Sequence, residues 1–150
     1  MLNVGIEKIK KINLTDQIEM IKGDAENLPF ESNKFDAVSV AFGVRNFENL
    51  DKGLAELKRV VKENKSVYIL EFSKVEGVLA PFYMFYFKNV LPQIGKLVSK
   101  DTRAYTYLPD SVNAFPYGEK MKQILLNVGF RTVEYKKLSL GIATIYKATK

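Results

Sequence analysis

The sequence predicts an α/β domain built on a mostly parallel sheet that closes with an antiparallel hairpin. Three observations carry this. The run Phe35–Phe42 (FDAVSVAF) is almost continuously apolar, as a parallel strand covered on both faces should be. Ser66–Phe72 (SVYILEF) repeats the signal, and between the two runs Leu50, Leu54, Leu57 and Val61 follow the 4-3-4 spacing of one helical face. Strand, helix and strand in succession are the βαβ unit of a parallel sheet.

The remaining elements fall around this unit. Ile6 to Ile12 reads as the tail of a basic helix ending near Asn13. Gln17–Lys22 (QIEMIK) reads as a short strand running into a turn at Gly23-Asp24. Asn49 is placed to cap the helix that Leu50 opens. Residues 78–98 interrupt the alternation: Phe82, Tyr83, Phe85, Tyr86 and Phe87 crowd together, while Pro81, Pro92, Gly95, Lys88 and Lys96 break any membrane span. A helix or helix pair, packed on the domain or covering a site, is expected there. Met121, Ile124, Leu125 and Val128 form another helical stripe that Gly129 can terminate. Thr132–Leu138 and Ile142–Thr149, joined around Gly141, read as the closing hairpin. No repeat or linker divides the chain, so residues 1–150 are expected to form one domain.

Composition narrows the chemistry. The 150 residues include no Cys, no His and no Trp. Thiol nucleophiles, zinc knuckles, imidazole bases and Ser-His-Asp triads are therefore absent, leaving carboxylate, Lys, Tyr, Arg and water for proton chemistry. No metal site is expected. The net charge of +6 arises wholly in residues 76–150, which hold 11 basic and 5 acidic side chains and 12 of the 18 aromatics. Scattered lysines argue against nucleic acid, which calls for clustered basic residues. A basic, aromatic half fits either an ordinary soluble surface or peripheral contact with an anionic membrane. Missing Cys and the lack of a secretory leader pattern lead to a cytoplasmic expectation.

Two loops lie where open α/β sheets bind ligands, at the carboxyl ends of strands. In Gly23-Asp24-Ala25-Glu26-Asn27-Leu28-Pro29-Phe30, an Asp can accept from an exocyclic amine while Ala admits a flat ring. Taken alone, these residues are better accounted for by ordinary turn chemistry, for which Gly-Asp and Asn-Leu-Pro are common material. In Ala41-Phe42-Gly43-Val44-Arg45-Asn46, Gly43 would allow a sharp exit, bringing Arg45 and Asn46 to the cleft edge. Arg45 could hold an oxyanion and Asn46 orient a hydroxyl or carbonyl, or the segment could be a helix-capping loop with one surface ion pair.

The order GDAENLPF, FDAVSVAFGVRN and then Arg59 through Ser73 resembles the ubiquinone/menaquinone biosynthesis C-methyltransferases, of the class I S-adenosylmethionine-dependent superfamily. Glu63-Asn64-Lys65 stands where the family signature has Pro-Gly-Gly, altering a turn between helix and strand. Asn89–Gly95, Asp101–Val112 and Leu126–Phe130 are similar to further family segments, so the resemblance spans nearly the whole chain. It implies a Rossmann-like class I sheet and an S-adenosylmethionine cofactor, with Asp24 and Ala25 by the adenine and Ala41 near the methionine end. It also implies C-methylation of a demethylated polyprenyl quinol, with Arg45 stabilising phenolate charge and Asn46 orienting it. Asp101 and Tyr107 are further candidates for substrate contact or proton transfer. Residues 76–116 are expected to form a substrate or lid-type helical insertion, its aromatics meeting the prenyl tail.

The superfamily's Gly-rich loop and its ribose-binding acid have no counterpart among these residues. The chain is therefore expected to be the C-terminal part of such an enzyme, with the N-terminal strands and half the cofactor site missing. The competing expectation is a cofactor-less remnant acting as an interaction module. An apolar edge beside the 35–42 strand would favour a homodimer or aggregation.

Overall fold

A computed structural model describes residues 2–75, 80–85, 89 and 111–150. Helix α1 (Leu2–Lys11) comes first, then strand β1 (Phe35–Ala41), helix α2 (Leu50–Val60) and strand β2 (Val61–Phe72). After the short helix α3 (Ala80–Phe85) follow helix α4 (Glu119–Asn127) and strands β3 (Thr132–Leu138) and β4 (Ala143–Thr149). The four strands form one sheet in the order β1-β2-β4-β3. β1 and β2 are parallel, whereas β4 is antiparallel to both its neighbours. This is the predicted mostly parallel class with a closing hairpin, and it places the last strand inside the sheet.

Local signals set most boundaries. Asn49 accepts from the Lys52 backbone N–H at 3.0 Å and starts α2 as its cap. Asn13 (φ 54°) ends α1 and Gly129 (φ 99°) ends α4 in the same way. In each, the residue beyond the left-handed position donates back five residues, Leu14 N–H to Ile9 C=O and Phe130 N–H to Leu125 C=O. Leu54 and Leu57 of α2 and Met121 and Leu125 of α4 share one buried cluster with Val67, Ile69, Val133, Tyr146 and Ala148. In that register Val67 lies opposite Ala148 and Ile69 opposite Tyr146, so both helices cover the same sheet face.

Three expectations are corrected. Gln17–Lys22 is not a strand: it lacks a ladder partner among the described residues, and Ile18, Met20 and Ile21 are exposed. An alternating apolar pattern needs a hydrogen-bonded neighbour before it becomes a strand. The downstream turn does form, as Asn27 N–H donates to Asp24 C=O at 3.1 Å. β1 is not covered on both faces; it is an edge strand among the described residues, and four of its seven positions are exposed. Finally, Glu63-Asn64-Lys65 is not a separate turn between helix and strand. β2 starts directly at Val61, and the extra residues form a bulge in which the step from Phe35 to Ala37 faces the longer step from Val61 to Ser66. Asn64 takes a left-handed φ of 60° there, a conformation Asn tolerates better than most residues.

Candidate functional site

Parallel pairing brings the carboxyl ends of β1 and β2 to one edge, with Ala41 opposite Leu70. Beyond Ala41 the chain turns sharply, though not at Gly43. The left-handed residue is Phe42 (φ 56°), while Gly43 has an ordinary φ of −115°. Gly43 matters instead for close approach, since a Cβ there would lie 3.3 Å from Val40 Cγ1. A bulky residue in the left-handed region costs on the order of 1–2 kcal/mol. Two contacts hold Phe42 in place: its ring lies 4.4 Å from that of Phe72, and its C=O accepts from Arg45 Nη1 at 2.7 Å.

Arg45 sits on the 3-10 turn Val44–Asn46 and points back to the end of β2. Its Nη1 pairs with Glu71 Oε1 at 2.7 Å, and its backbone N–H donates to Glu71 Oε2 at 3.2 Å. Glu71 also accepts from the Phe72 N–H at 2.9 Å. The Glu71 side chain is 1 % exposed and that of Arg45 11 %, so the pair is nearly dry. The guanidinium also lies over the Phe72 ring, 5.4 Å from its centroid. Arg45 is thus a fixed, charge-compensated donor, held in a nearly dry ion pair and not a surface one. Arg45, Val44, Phe47 and Glu48 line an open cavity of about 450 Å³ with Ser111 and Phe115.

Behind this pair a second polar cluster ties β2 to the hairpin. Ser73 Oγ donates to Gly141 C=O at 2.8 Å and lies 2.8 Å from Thr144 Oγ1. Tyr146 accepts from the Gly118 N–H through its hydroxyl, and burial pushes its pKa up to about 12.

The 24–34 segment lies beside α2. Asp24 Oδ1 accepts from Glu26 N–H at 2.9 Å, and Glu26 Oε1 accepts from the Asn49 N–H at 2.7 Å. Ala25 lines a second open cavity, about 360 Å³ and mostly apolar, with Leu28, Phe30, Val38, Val40 and Phe47. Ala41, Arg45 and Asn46 therefore share one strand end, and the Asp24-Ala25 turn is linked to the start of the helix that follows them. Asn46 is exposed at the end of its turn, with its N–H donating to Gly43 C=O. Asp101 and Tyr107 lie outside the described residues, as does most of the expected 76–116 insertion. Sequence reasoning gave Glu71 no role, although an acid closing an otherwise apolar buried run signals a buried partner.

The small Ala25 side chain and the Asp24 carboxylate suit a flat ring bearing an amine, as in S-adenosylmethionine. Among the described residues, no helix is long and apolar enough to cross a membrane.

Comparison with known proteins places the chain. It is 47% identical over 151 residues to a demethylmenaquinone methyltransferase of Bacteroides fragilis, covering 100% of this chain and 62% of that one. It is 43% identical over 150 residues to the ubiquinone/menaquinone biosynthesis C-methyltransferase UbiE of Chromobacterium violaceum, covering 100% and 61%. The chain thus spans about 62% of the length of these relatives. Among solved structures, the S-adenosylmethionine-dependent methyltransferase of Aquifex aeolicus superposes with a TM-score of 0.65 at 21% identity, over 98% of this chain and 62% of that one. The [4+2]-cyclase SpnF superposes at 0.72 with 16% identity, over 99% and 62%. These two likenesses speak to fold alone. The ubiE/COQ5 methyltransferase family model matches residues 1–150 from end to end, and the chain belongs to that family.

Proposed function

We propose that the chain carries the acceptor-side half of an S-adenosylmethionine-dependent C-methyltransferase acting on a demethylated quinol of quinone biosynthesis. The observation that carries this reading is the Arg45–Glu71 pair at the joined ends of β1 and β2, within a chain matched end to end by the family. The cofactor supplies an electrophilic methyl group on a sulfonium. The protein must orient the ring carbon, exclude water and stabilise the ring as its phenolate.

Arg45 serves the last task as an oriented donor beside the cavity that Val44, Glu48 and Ser111 line. Compensation by Glu71 keeps the guanidinium in one place and spares the dry site an unpaired charge. Asn46 follows Arg45 on the same turn and orients the acceptor hydroxyl. Asp24 and Ala25 receive the adenine, with Ala41 toward the methionine end. Ser111 and Phe115, from the end of the 76–116 stretch, border the Arg45 cavity, which supports that stretch as the acceptor-side insertion. Asp101, Tyr107 and the aromatics of residues 82–87 belong to it, as contacts for the quinol ring and its prenyl tail. Nearby basic residues suit an anionic bilayer surface.

A chimera tests the reading. This chain would replace the matching segment of the Bacteroides fragilis relative, whose remaining length it does not cover. The chimera should transfer a methyl group from S-adenosylmethionine to a demethylated naphthoquinol or benzoquinol, and Arg45→Met should abolish turnover. A folded chimera that binds the cofactor yet methylates neither quinol would sink the proposal. The isolated chain should bind S-adenosylmethionine measurably but weakly, with a Kd of roughly millimolar.

A further inference from the structure

Arg59 and Glu56 make a set of contacts that no step above uses. Arg59 Nε and Nη2 grip Glu56 Oε1 and Oε2 at 2.7 and 2.8 Å, a two-point carboxylate contact. The same guanidinium reaches across to the 24–34 segment, where Nη1 donates to Phe30 C=O at 2.7 Å and Nη2 to Leu28 C=O at 3.0 Å. Glu56 Oε2 accepts from the Leu28 N–H at 2.8 Å. Two backbone bonds continue the seam, from Asn33 N–H to Arg59 C=O and from Lys34 N–H to Val60 C=O, both 2.9 Å.

Apart from the Arg59–Glu56 pair itself, these bonds join elements far apart in sequence, and they end on backbone groups of one segment. Neither side chain is a core residue, since Arg59 is 33 % and Glu56 17 % exposed. Their hydrogen bonds therefore fix where the loop lies more than they add burial. The loop so held begins at Asp24 and Ala25 and contributes Ala25, Leu28 and Phe30 to one cavity wall. At the other end of α2, the Glu26–Asn49 bond fixes the turn itself. Helix α2 is thus a splint for the loop at both ends.

We infer that Glu56 and Arg59 are positioning residues that hold the 24–30 loop in its cofactor-receiving geometry before any ligand arrives. This rests on the reading of Asp24 and Ala25 as cofactor contacts. A preset loop lowers the ordering cost of binding. Lys in place of Arg59 could keep one of the contacts but not the planar fork that spans Glu56, Leu28 and Phe30.

The test uses the 150-residue chain and two readouts. Amide hydrogen exchange of residues 26–30 should quicken at least about tenfold in Arg59→Met, with β2 and β4 unchanged, and by less in Arg59→Lys. NMR titration with S-adenosylhomocysteine should shift amides of residues 24–28 in the wild type, with affinity about tenfold weaker in Arg59→Met and partly restored by Lys. Unchanged loop exchange, or loop and β2 exchange rising together, overturns the positioning role. Equal affinity in wild type and Arg59→Met overturns it as well. No wild-type response at millimolar ligand overturns the cofactor reading on which the inference rests, while exchange separately decides whether the clamp orders the loop.

Discussion

Glu71 shows how a single buried carboxylate can serve a neighbour and not itself. Three donors converge on it, and Arg45 is both its counter-charge and a support for the strained Phe42 backbone. Removing one member of such a pair strands the other, which costs about 3–5 kcal/mol, whereas replacing both by apolar groups is far milder. Glu71→Gln should therefore lower stability by about 3 kcal/mol in urea denaturation, the lower end because Gln still accepts hydrogen bonds. Arg45→Met with Glu71→Leu should recover most of that loss, and in the chimera it should remain inactive. A loss below about 1 kcal/mol for Glu71→Gln would mean that the pair is not the closed contact described. The same residues show what the sequence can tell. Arg45 was legible as a cleft residue because Ala41 and Gly43 bracket a strand end. Its partner was not, because Arg45 and Glu71 are 26 residues apart and only the parallel register sets them side by side.

At the scale of elements, boundaries written in local chemistry were readable and those set by partners were not. Asn49, Asn13 and Gly129 mark helix ends through their own hydrogen-bonding and backbone preferences. Gly129→Ala should cost about 1–2 kcal/mol from its φ of 99° alone. A new Cβ would also lie 2.6 Å from Lys58 Nζ, whose flexible chain can move aside. A melting shift too small to register would contradict that. By contrast, Gln17–Lys22 carries a strand pattern with no strand beside it among the described residues, and the β2 bulge depends on a pairing step that periodicity cannot show. The α2 splint also has a pH signature. Hydrogen bonding from Arg59 holds the Glu56 carboxyl below its ordinary value of 4.5. A depressed folded-state pKa means the contribution is present above 4.5 and fades as pH falls through the lowered value. Exchange of residues 26–30 should therefore accelerate below pH 4.5 more than the general pH trend, and Glu56→Gln should flatten that excess.

For the molecule as a whole, one well-buried sheet face contrasts with an open flank. Leu54, Met121 and Leu125 are fully buried over β2 and β4, while Val4, Ile12, Ile18, Met20 and Ile21 are each at least 40% exposed in the first 22 residues. β1 has no strand on its outer edge among the described residues. Unpaired edges beside apolar surface favour self-association. Light scattering should show mass rising with concentration, and a monomer across that range would refute the expectation. Fold class survived the passage from sequence to structure because strand, helix and strand signals are independent and agree. The exposure of β1 did not, since an apolar run says what a strand can bury and not what lies against it.

Placing β4 between β2 and β3 has a consequence for biosynthesis. β3 leaves the ribosome before the strand that will hold it, and its ladder bonds in the sheet are to Ala143–Thr149. The parallel pair β1-β2 can form early, but among the described strands the sheet stays two-stranded until residues 143–149 are released. A chain cut before Ala143 would therefore lose two strands of this sheet, not one, along with the Ser73–Thr144 tie. Quality control would see chains with half of the described sheet, exposed to degradation by the loss of one short strand.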